Sequence, residues 1–379
     1  MKQIYLDNAA ATPLLSKVLD AMRPYETEYF HNPSGLSLAS RKVRQDIKSA
    51  RNEVARQLAA RPGEIIFTAG GTEANNLAIH GVMNAHQDAH LITTNIEHEA
   101  VLRPAEHHSF TTVPVEPNGI IDPTNIVAAV NENTVLISVM YVNNEIGTIQ
   151  PLHEIANSVQ AIRSQRQKDG NTTPLYIHTD ACQAANYLDL DVDTLGVDLM
   201  TLNGGKIYGP KQSGCLYVRS NVALFSLIQG GGQERNLRSG TENVSNIIGF
   251  SVALSLAQES RTKEARRLSR LQKQCVSSLQ QSIPAAAING SLSQRLVNNL
   301  SVTIPGIDNE RVLMELEEYG IIGAAGSACA ASKDGTSHVL QAIGLSDELA
   351  RATLRFSMGR FTTEDSIQKV VDRLAKIVG

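Results

Sequence analysis

The chain has 379 residues, of which 42% are hydrophobic and 19% charged, and its formal net charge is −4. This composition is ordinary for a globular protein with a large core, and the acidic balance argues against a surface built for nucleic acid. Aromatic residues make up only 4% of the chain and tryptophan is absent, so stacking platforms for bases are not expected.

The sequence indicates neither a membrane segment nor a cysteine-based framework. The longest apolar runs, such as residues 135–142, fall far short of the roughly 20 residues that a membrane helix needs. The first seven residues contain no apolar signal core, so we expect a cytoplasmic protein. The cysteines are widely spaced without a CxxC pair and predict neither a metal site nor disulfides: Cys182, Cys215, Cys275 and Cys329.

The first two thirds of the chain alternate strand and helix patterns. Apolar residues at helical spacing from Ile47 to Leu58 predict an early helix, and further helices are expected after residues 70–72 and after Pro151. Short apolar runs predict strands at 65–68, 90–94, 135–141, 174–179, 197–202 and, pairing antiparallel nearby, 215–218. This alternation is typical of an α/β unit with a mainly parallel sheet.

The composition changes near Gly249. From there to about Leu279, a stretch rich in Arg, Lys, Gln and Glu predicts one long helix. The elements predicted after it are a strand at 298–304, a helix at 310–319, a strand at 353–357 and a final helix from residue 364. We interpret this part as a second, smaller α+β unit.

A glycine-rich loop with a lysine follows the strand that ends at Leu202. It reads Asn-Gly-Gly-Lys-Ile-Tyr-Gly-Pro over residues 203–210. The glycines permit sharp turns and a close approach of backbone to a ligand, and open α/β sheets bind ligands at the carboxyl ends of their strands. Lys206 is therefore a candidate Schiff-base lysine, with an exposed loop lysine as the alternative.

Asp180 ends the neighbouring predicted strand and precedes Ala-Cys-Gln. A pyridoxal phosphate site needs a lysine for the imine and an acid that keeps the pyridinium nitrogen protonated. Lys206 and Asp180, at neighbouring strand ends, supply both groups. The alternative for Asp180 is a helix N-cap, a position that aspartate often takes.

Two glycine clusters are candidates for anion binding. Residues 70–73, Gly-Gly-Thr-Glu, lie between a strand and a helix, where bare amides hold phosphate and Thr72 adds a hydroxyl. The same residues also make an ordinary helix start. Residues 230–241 combine glycines with Arg235, Arg238 and Thr241, and the alternative there is a flexible basic turn.

One cysteine differs from the other three in its surroundings. Cys329 lies in Gly-Ser-Ala-Cys-Ala-Ala-Ser, residues 326–332, where only small residues flank it. A nucleophilic cysteine needs such access and the ability to form a thiolate, and a buried structural cysteine is the alternative. His98 and residues 143–147 also follow predicted strand ends, at the same edge of the sheet.

Together these segments resemble the cysteine desulfurases, pyridoxal phosphate enzymes of fold-type I in the class V aminotransferase group. The matching stretches occur in family order and cover residues 5–13, 67–73, 97–98, 142–147, 180–183, 204–210, 238–241, 326–329 and 354–360. The loop after Cys329 is similar to that of the long-loop group, which includes the bacterial iron–sulfur and nitrogen-fixation desulfurases. The resemblance implies a mainly parallel seven-stranded sheet in a large cofactor-binding domain, residues 13–255. It also implies a small α+β domain, residues 1–12 and 256–379, that carries Cys329.

The resemblance implies a role for each site residue. Lys206 would form the Schiff base, Asp180 would pair with the pyridinium nitrogen, and His98 would stack on the ring and help to move protons. Arg355, together with Asn144, would bind the substrate carboxylate, and Cys329 would accept the sulfur. The remaining cofactor contacts would come from Gly71, Thr72, Asn144, Gln183, Asn203, Gly205 and, reaching the cofactor phosphate of the partner subunit, Thr241.

The implied reaction converts L-cysteine to L-alanine and leaves a persulfide on Cys329. Lys206 would remove the Cα proton as a base, and the Cys329 thiolate would attack the substrate sulfur. Because a persulfide is a portable sulfur atom, the expected partners are a second subunit in a homodimer and a sulfur-acceptor protein. No membrane partner and no direct nucleic-acid binding are expected.

Departures from the family pattern leave the pathway open. Gly205 stands where the family usually has a histidine, Ser37 replaces an early histidine, and the chain ends soon after residues 360–363. We therefore expect either iron–sulfur cluster assembly or a dedicated pathway such as tRNA thiolation or DNA phosphorothioation. The alternatives are another class V enzyme, such as a selenocysteine lyase or an aminotransferase, and a sulfur-system partner that has lost turnover.

Overall fold

The computed structural model describes residues 3–326 and 336–379. Its strands are, in chain order, β1 (Ile4–Tyr5), β2 (Ile65–Thr68), β3 (His90–Thr94), β4 (Ser109–Val113), β5 (Thr134–Ser138), β6 (Tyr176–Asp180), β7 (Leu199–Asn203), β8 (Gly214–Val218), β9 (Ala287–Ile288), β10 (Asn299–Thr303), β11 (Ile321–Ile322) and β12 (Thr353–Ser357).

The helices alternate with these strands through the first two thirds of the chain. They are α1 (Ser16–Met22), α2 (Pro24–Thr27), α3 (Leu38–Gln57), α4 (Gly71–Asn84), α5 (Glu99–Ala105), α6 (Pro123–Ala129), α7 (Leu152–Lys168), α8 (Val192–Leu195), α9 (Val244–Ser282), α10 (Asn309–Glu318), α11 (His338–Ala342), α12 (Asp347–Arg351) and α13 (Glu364–Val378). Among the described residues, no helix has both the length and the apolar character that crossing a membrane requires.

Seven strands form one sheet in the order β2-β8-β7-β6-β5-β3-β4. Strand β8 is antiparallel to both of its neighbours, and the remaining pairs are parallel. Strands β2, β3, β5 and β6 are buried along their whole length, as expected for a sheet whose two faces are covered by helices. The expected seven-stranded, mainly parallel sheet is confirmed.

Two smaller sheets lie in the second part of the fold. Strands β12, β10 and β9 form an antiparallel sheet, and β1 pairs in parallel with β11. Asp7 forms a parallel bridge with Ser357 of β12, and the amide of Thr12 then donates to the carbonyl of Gly205. The N-terminal segment therefore runs from the small sheets to the edge of the large one.

Helix α9, with 39 residues, joins the two parts. Near its start Ser251 donates to the carbonyl of Ala50 in α3, and further along Arg267 donates to the carbonyl of Thr362, just before α13. A domain boundary at residue 255 falls inside this continuous helix. The division into a large and a small domain therefore stays a prediction, and the two predicted domains would share helix α9.

Candidate active site

The carboxyl ends of two paired parallel strands place the first site residues side by side. Strand β6 ends at Asp180 and β7 ends at Asn203. A single 3-10 turn, Gly204–Lys206, follows β7 directly. The side chain of Asn203 caps this turn, since its Oδ1 accepts a hydrogen bond from the Gly205 amide at 3.0 Å. The lysine is thereby held at the sheet edge where Asp180 ends its strand.

The Lys206 side chain is partly buried and lies against the N-terminal segment. Its Nζ donates to the carbonyl of Ala10 at 2.5 Å. Burial lowers the pKa of Lys206, the Cys182 thiol opposes this effect, and the charge of Arg355 adds to it. A lowered pKa increases the fraction of the lysine that is present as the neutral, nucleophilic amine, and Schiff-base chemistry requires this form.

Asp180 is 7% exposed, and two neighbours orient its carboxylate. Oδ2 accepts from the side-chain amide of Asn75 at 2.7 Å, and Oδ1 accepts from the backbone amide of Cys182 at 3.0 Å. Residues 182–187 form turns rather than a helix, which excludes the N-cap alternative. A buried carboxylate held in this way fits the acid that a pyridinium nitrogen needs.

Lys206 lines a cleft of about 570 Å³ at the start of α4. The cleft is also lined by Gly70, Gly71, Thr72, Asn203 and Gly205. The first amides of a helix lack intrahelical partners, so this wall offers N–H donors at the positive end of the helix dipole. Gly71 leaves no room for a side chain, because a Cβ there would lie 2.7 Å from Cys182 Sγ. A phosphate group fits this lining.

His98 and Glu97 follow strand β3. His98 is the N-cap of α5, and its Nδ1 accepts from the Ala100 amide at 3.0 Å. The proton of the neutral ring then lies on Nε2, which is the donor that His98 offers. Glu97 Oε1 accepts from the Thr94 hydroxyl at 2.8 Å and from the Met140 amide at 2.9 Å. Burial raises the pKa of Glu97 to about 8.

Arg355 reaches the site from β12 and is 2% exposed. Its Nη2 forms an ion pair with Asp7 Oδ1 at 2.7 Å, and its Nη1 donates to the carbonyl of Asn144 at 3.2 Å. Its Nε has no hydrogen-bond partner within the described residues. A buried guanidinium with unused N–H groups suits a bidentate carboxylate ligand. The contact also places the backbone of Asn144 beside Arg355, and binding of a substrate by these two residues stays a prediction.

Gln183 contacts the same N-terminal segment as Lys206, whereas Thr241 lines a different cleft. Gln183 Nε2 donates to the carbonyl of Ala9 at 3.0 Å, next to the carbonyl that accepts from Lys206. Thr241 lines a second cleft, of about 220 Å³, and the Arg238 beside it pairs with Glu73 of α4 at 2.8 Å. Within one chain Thr241 and Lys206 line different clefts, so a contact of Thr241 with a partner subunit's cofactor stays a prediction.

Cys329 lies outside the described residues, but the residues on both sides of that segment are fixed. Ala324 exchanges two backbone hydrogen bonds with Arg355, at 3.0 and 2.6 Å. Ser337 Oγ donates to Glu145 Oε2 at 2.5 Å, and a Cβ on Gly326 would lie 3.1 Å from the same oxygen. Both ends of the segment are thus attached next to Arg355 and the loop after β5.

The other cysteines fit structural roles. Cys182, Cys215 and Cys275 are free thiols, and burial raises the pKa of each of them. Cys215 and Cys275 are buried, and a buried thiol with a raised pKa forms little thiolate and is inert. In residues 3–326 and 336–379, no group of three or more His, Cys, Asp or Glu side chains is arranged to hold a metal ion.

Sequence reasoning did not assign roles to Asn75 and Asp7. Asn75 follows Thr72 by three positions on α4, so both lie on one helix face, and this spacing was a usable signal. Asp7 is separated from its partner Arg355 by 348 positions, and no local pattern connects the two.

The sequence of this chain is similar to those of known enzymes, in agreement with the site geometry. The family model described as aminotransferase class-V matches residues 4–370. The cysteine desulfurase IscS of Dictyoglomus turgidum is 39% identical over 384 residues, which cover 100% of this chain and 95% of that protein. The chain belongs to the cysteine desulfurase family. The resemblance inferred from the motifs is confirmed.

Solved structures of similar proteins extend this result to the fold. One described as a NifS-like protein superimposes with a TM-score of 0.90 at 31% identity, covering 99% of each chain. Another, SspA in complex with cysteine, has a TM-score of 0.78 at 34% identity and covers 95% of this chain and 100% of its own. The cysteine desulfurase fold therefore includes both the large sheet and the small sheets.

Proposed function

We propose that this member of the cysteine desulfurase family converts L-cysteine to L-alanine and transfers the sulfur atom to Cys329. One observation carries the proposal. Lys206, Asp180 and the first turn of α4 meet at one sheet edge, and Arg355 pairs with Asp7 in the same N-terminal turn whose Ala10 carbonyl accepts from Lys206. These groups are the ones that an amino-acid substrate and a pyridine cofactor require.

Pyridoxal 5'-phosphate is the cofactor that these residues fit. Lys206 would hold its aldehyde carbon, Asp180 its ring nitrogen, and the wall of Gly71, Thr72, Asn203 and Gly205 its phosphate. His98, Gln183 and Asn144 would lie along the ring. When bound, the cofactor supplies an electron sink for charge that develops at the substrate Cα. Class V aminotransferases as a family use this cofactor, which supports the assignment.

Arg355 and Lys206 have different roles toward the amino-acid substrate. The unused N–H groups of Arg355 bind the α-carboxylate, which fixes the orientation of the substrate. Lys206 removes the Cα proton as a base and can return it, because its lowered pKa favours the neutral amine. His98 donates through Nε2, the ring nitrogen that the Ala100 contact leaves free.

Cys329 completes the reaction as a nucleophile. Its thiolate attacks the substrate sulfur, so that a new S–S bond forms while the substrate Cβ–S bond breaks. The electron pair of the broken bond stays on Cβ, which takes up a proton to give L-alanine. The net change, L-cysteine plus thiol to L-alanine plus persulfide, needs no external oxidant.

We extend the proposal to a cytoplasmic homodimer that serves a sulfur-acceptor protein. Because Thr241 and Lys206 line different clefts of one chain, Thr241 of the partner subunit would complete the phosphate site. Acceptors in iron–sulfur assembly, tRNA thiolation and DNA phosphorothioation would all take the same persulfide sulfur.

The test is a peptide mass spectrum of the cofactor-loaded protein after brief exposure to L-cysteine without reductant. We expect one added sulfur atom on the peptide containing Cys329, with an equal amount of L-alanine released. The variants Lys206→Ala and Cys329→Ser should show neither the added sulfur at this position nor sustained turnover. If a protein that holds the cofactor gains no sulfur and releases no L-alanine, the proposal is wrong.

A further inference from the structure

Within the part of the chain that the structure describes, Asp7 supplies the carboxylate that pairs with the guanidinium proposed to bind the substrate. Asp7 Oδ1 lies 2.7 Å from Arg355 Nη2, and the two side chains are 16% and 2% exposed. Pairs this close in a buried setting are oriented contacts rather than surface ion pairs, because water screens them little.

The backbone around Asp7 fixes its position. Asp7 bridges to Ser357, two residues beyond Arg355 on β12. Its carbonyl accepts from the Tyr5 hydroxyl at 2.9 Å and from the Ala10 amide at 3.1 Å. Ala10 in turn provides the carbonyl to which Lys206 Nζ donates. The turn that holds Asp7 therefore touches the residues expected at both ends of the substrate.

The guanidinium of Arg355 has enough hydrogen bonds to fix its orientation, and some of its N–H donors have no acceptor in the described part of the chain. Arginine has five N–H donors. Asp7 and the carbonyl of Asn144 each take one, from Nη2 and Nη1, and Nε has no partner in the described part of the chain. Two acceptors are enough to set the plane of a guanidinium, and three N–H groups are left over. A bidentate carboxylate needs two of them.

We propose that Asp7 is a positioning residue that orients Arg355 for the α-carboxylate of the substrate, an inference that rests on the proposed function. Asp7 acts on recognition and not on bond breaking. Its removal frees the guanidinium to rotate, and the amino acid then loses one end of its binding site.

The test compares two ligands that differ only in the carboxylate, L-alanine and ethylamine, by titration of the cofactor absorbance of the holoenzyme. For Asp7→Ala we expect L-alanine binding to weaken about tenfold and ethylamine binding to stay within about threefold of wild type. Asp7→Asn should retain most of the L-alanine affinity, because its amide oxygen can still accept from Nη2. Asp7→Leu keeps the branched shape and the number of side-chain heavy atoms without an acceptor, and it should behave like Asp7→Ala.

Two controls make the readout specific. Asp193→Ala removes an exposed aspartate that pairs with Arg219 at 2.9 Å, far along the chain, and should change neither affinity. In the Arg355→Ala background, Asp7→Ala should weaken L-alanine binding no further, because residues that act as a unit are not additive.

Unchanged L-alanine binding in Asp7→Ala and Asp7→Leu would overturn the inference. Equal weakening of both ligands would also overturn it, since Asp7 would then only hold the site together. The proposed function fails separately, if the wild-type holoenzyme binds L-alanine but releases none from L-cysteine.

Discussion

Ser337 donates its hydroxyl hydrogen to Glu145 Oε2 at 2.5 Å, while its oxygen accepts from the Leu340 amide at 3.2 Å. One side chain therefore caps α11 and also supplies a partner to a carboxylate that is 2% exposed. Ser346 caps α12 in the same way but at an exposed position, where its oxygen accepts from the Leu349 amide at 3.3 Å.

We predict that Ser337→Ala lowers the free energy of unfolding by about 2–3 kcal/mol, the sum of a lost cap and a buried acceptor left without a donor. The matched variant Ser346→Ala loses only a cap and should cost about 1 kcal/mol. Urea unfolding of both variants in one buffer measures the difference. Equal losses would mean that the contact with Glu145 contributes nothing to stability.

The buried Glu97 side chain should make the free energy of unfolding depend on pH. Burial raises the pKa of this carboxyl from 4.5 to about 8 in the folded protein. Between these two values the unfolded chain has released the proton and the folded chain has not, so the stability contributed by Glu97 falls as pH rises. Glu97→Gln removes the titration and mimics the protonated acid. It should gain stability relative to wild type from about pH 5 to about pH 8, by at most about 1.4 kcal/mol per pH unit.

Urea unfolding of wild type and Glu97→Gln at several pH values measures this trend. Glu116→Gln, at an exposed carboxyl, is the control for a change of one charge. A constant difference between Glu97→Gln and wild type across the range would show that Glu97 is ionised in the folded protein.

The start of α4 offers a test of packing around the proposed phosphate site. A Cβ at position 71 would lie 2.7 Å from Cys182 Sγ, whereas one at position 205 would lie 3.4 Å from Asn203 Oδ1, an ordinary contact. Gly71→Ala should therefore cost about 1–3 kcal/mol of stability and weaken binding of pyridoxal phosphate, whereas Gly205→Ala should leave the stability of the protein nearly unchanged. Adding Cys182→Ala should restore much of the loss. Thermal unfolding measures the stability of each variant, and a fluorescence titration measures its affinity for the cofactor. If Gly71→Ala/Cys182→Ala is no more stable than Gly71→Ala, the steric explanation is wrong.

Much of the fold could be predicted from local patterns. Strands β2, β3 and β12 match their predicted bounds, because each is a short buried run whose apolar character stops at a turn. Strand β4 was missed because four of its five residues are exposed at the sheet edge, where burial leaves no apolar signature. Helix α9 begins five residues before its predicted start at Gly249, with Asn243 as its N-cap.

The site was predictable where its residues end strands. Asp180 ends β6 and Lys206 follows β7, and the order of parallel strands brings such residues together. Long-range partners were not predictable, because the bridge between Asp7 and β12 depends on how the first and last parts of the chain fold onto each other. Side-chain geometry such as the Asn75 contact with Asp180 also required the structure.

Helix α9 attaches both the loop that follows Lys206 and the segment that follows β12 to one continuous element. At Gly249 it packs so closely on Pro210, at the end of the lysine loop, that a Cβ would lie 3.0 Å from the proline ring. About 27 Å further along, Arg267 holds the carbonyl of Gly359, just beyond the strand that carries Arg355. The two attached segments are also joined directly, since the Tyr208 hydroxyl accepts from the Arg360 amide at 2.7 Å. Separating the lysine loop from the segment beyond β12 would therefore require breaking this contact as well as bending an intact helix.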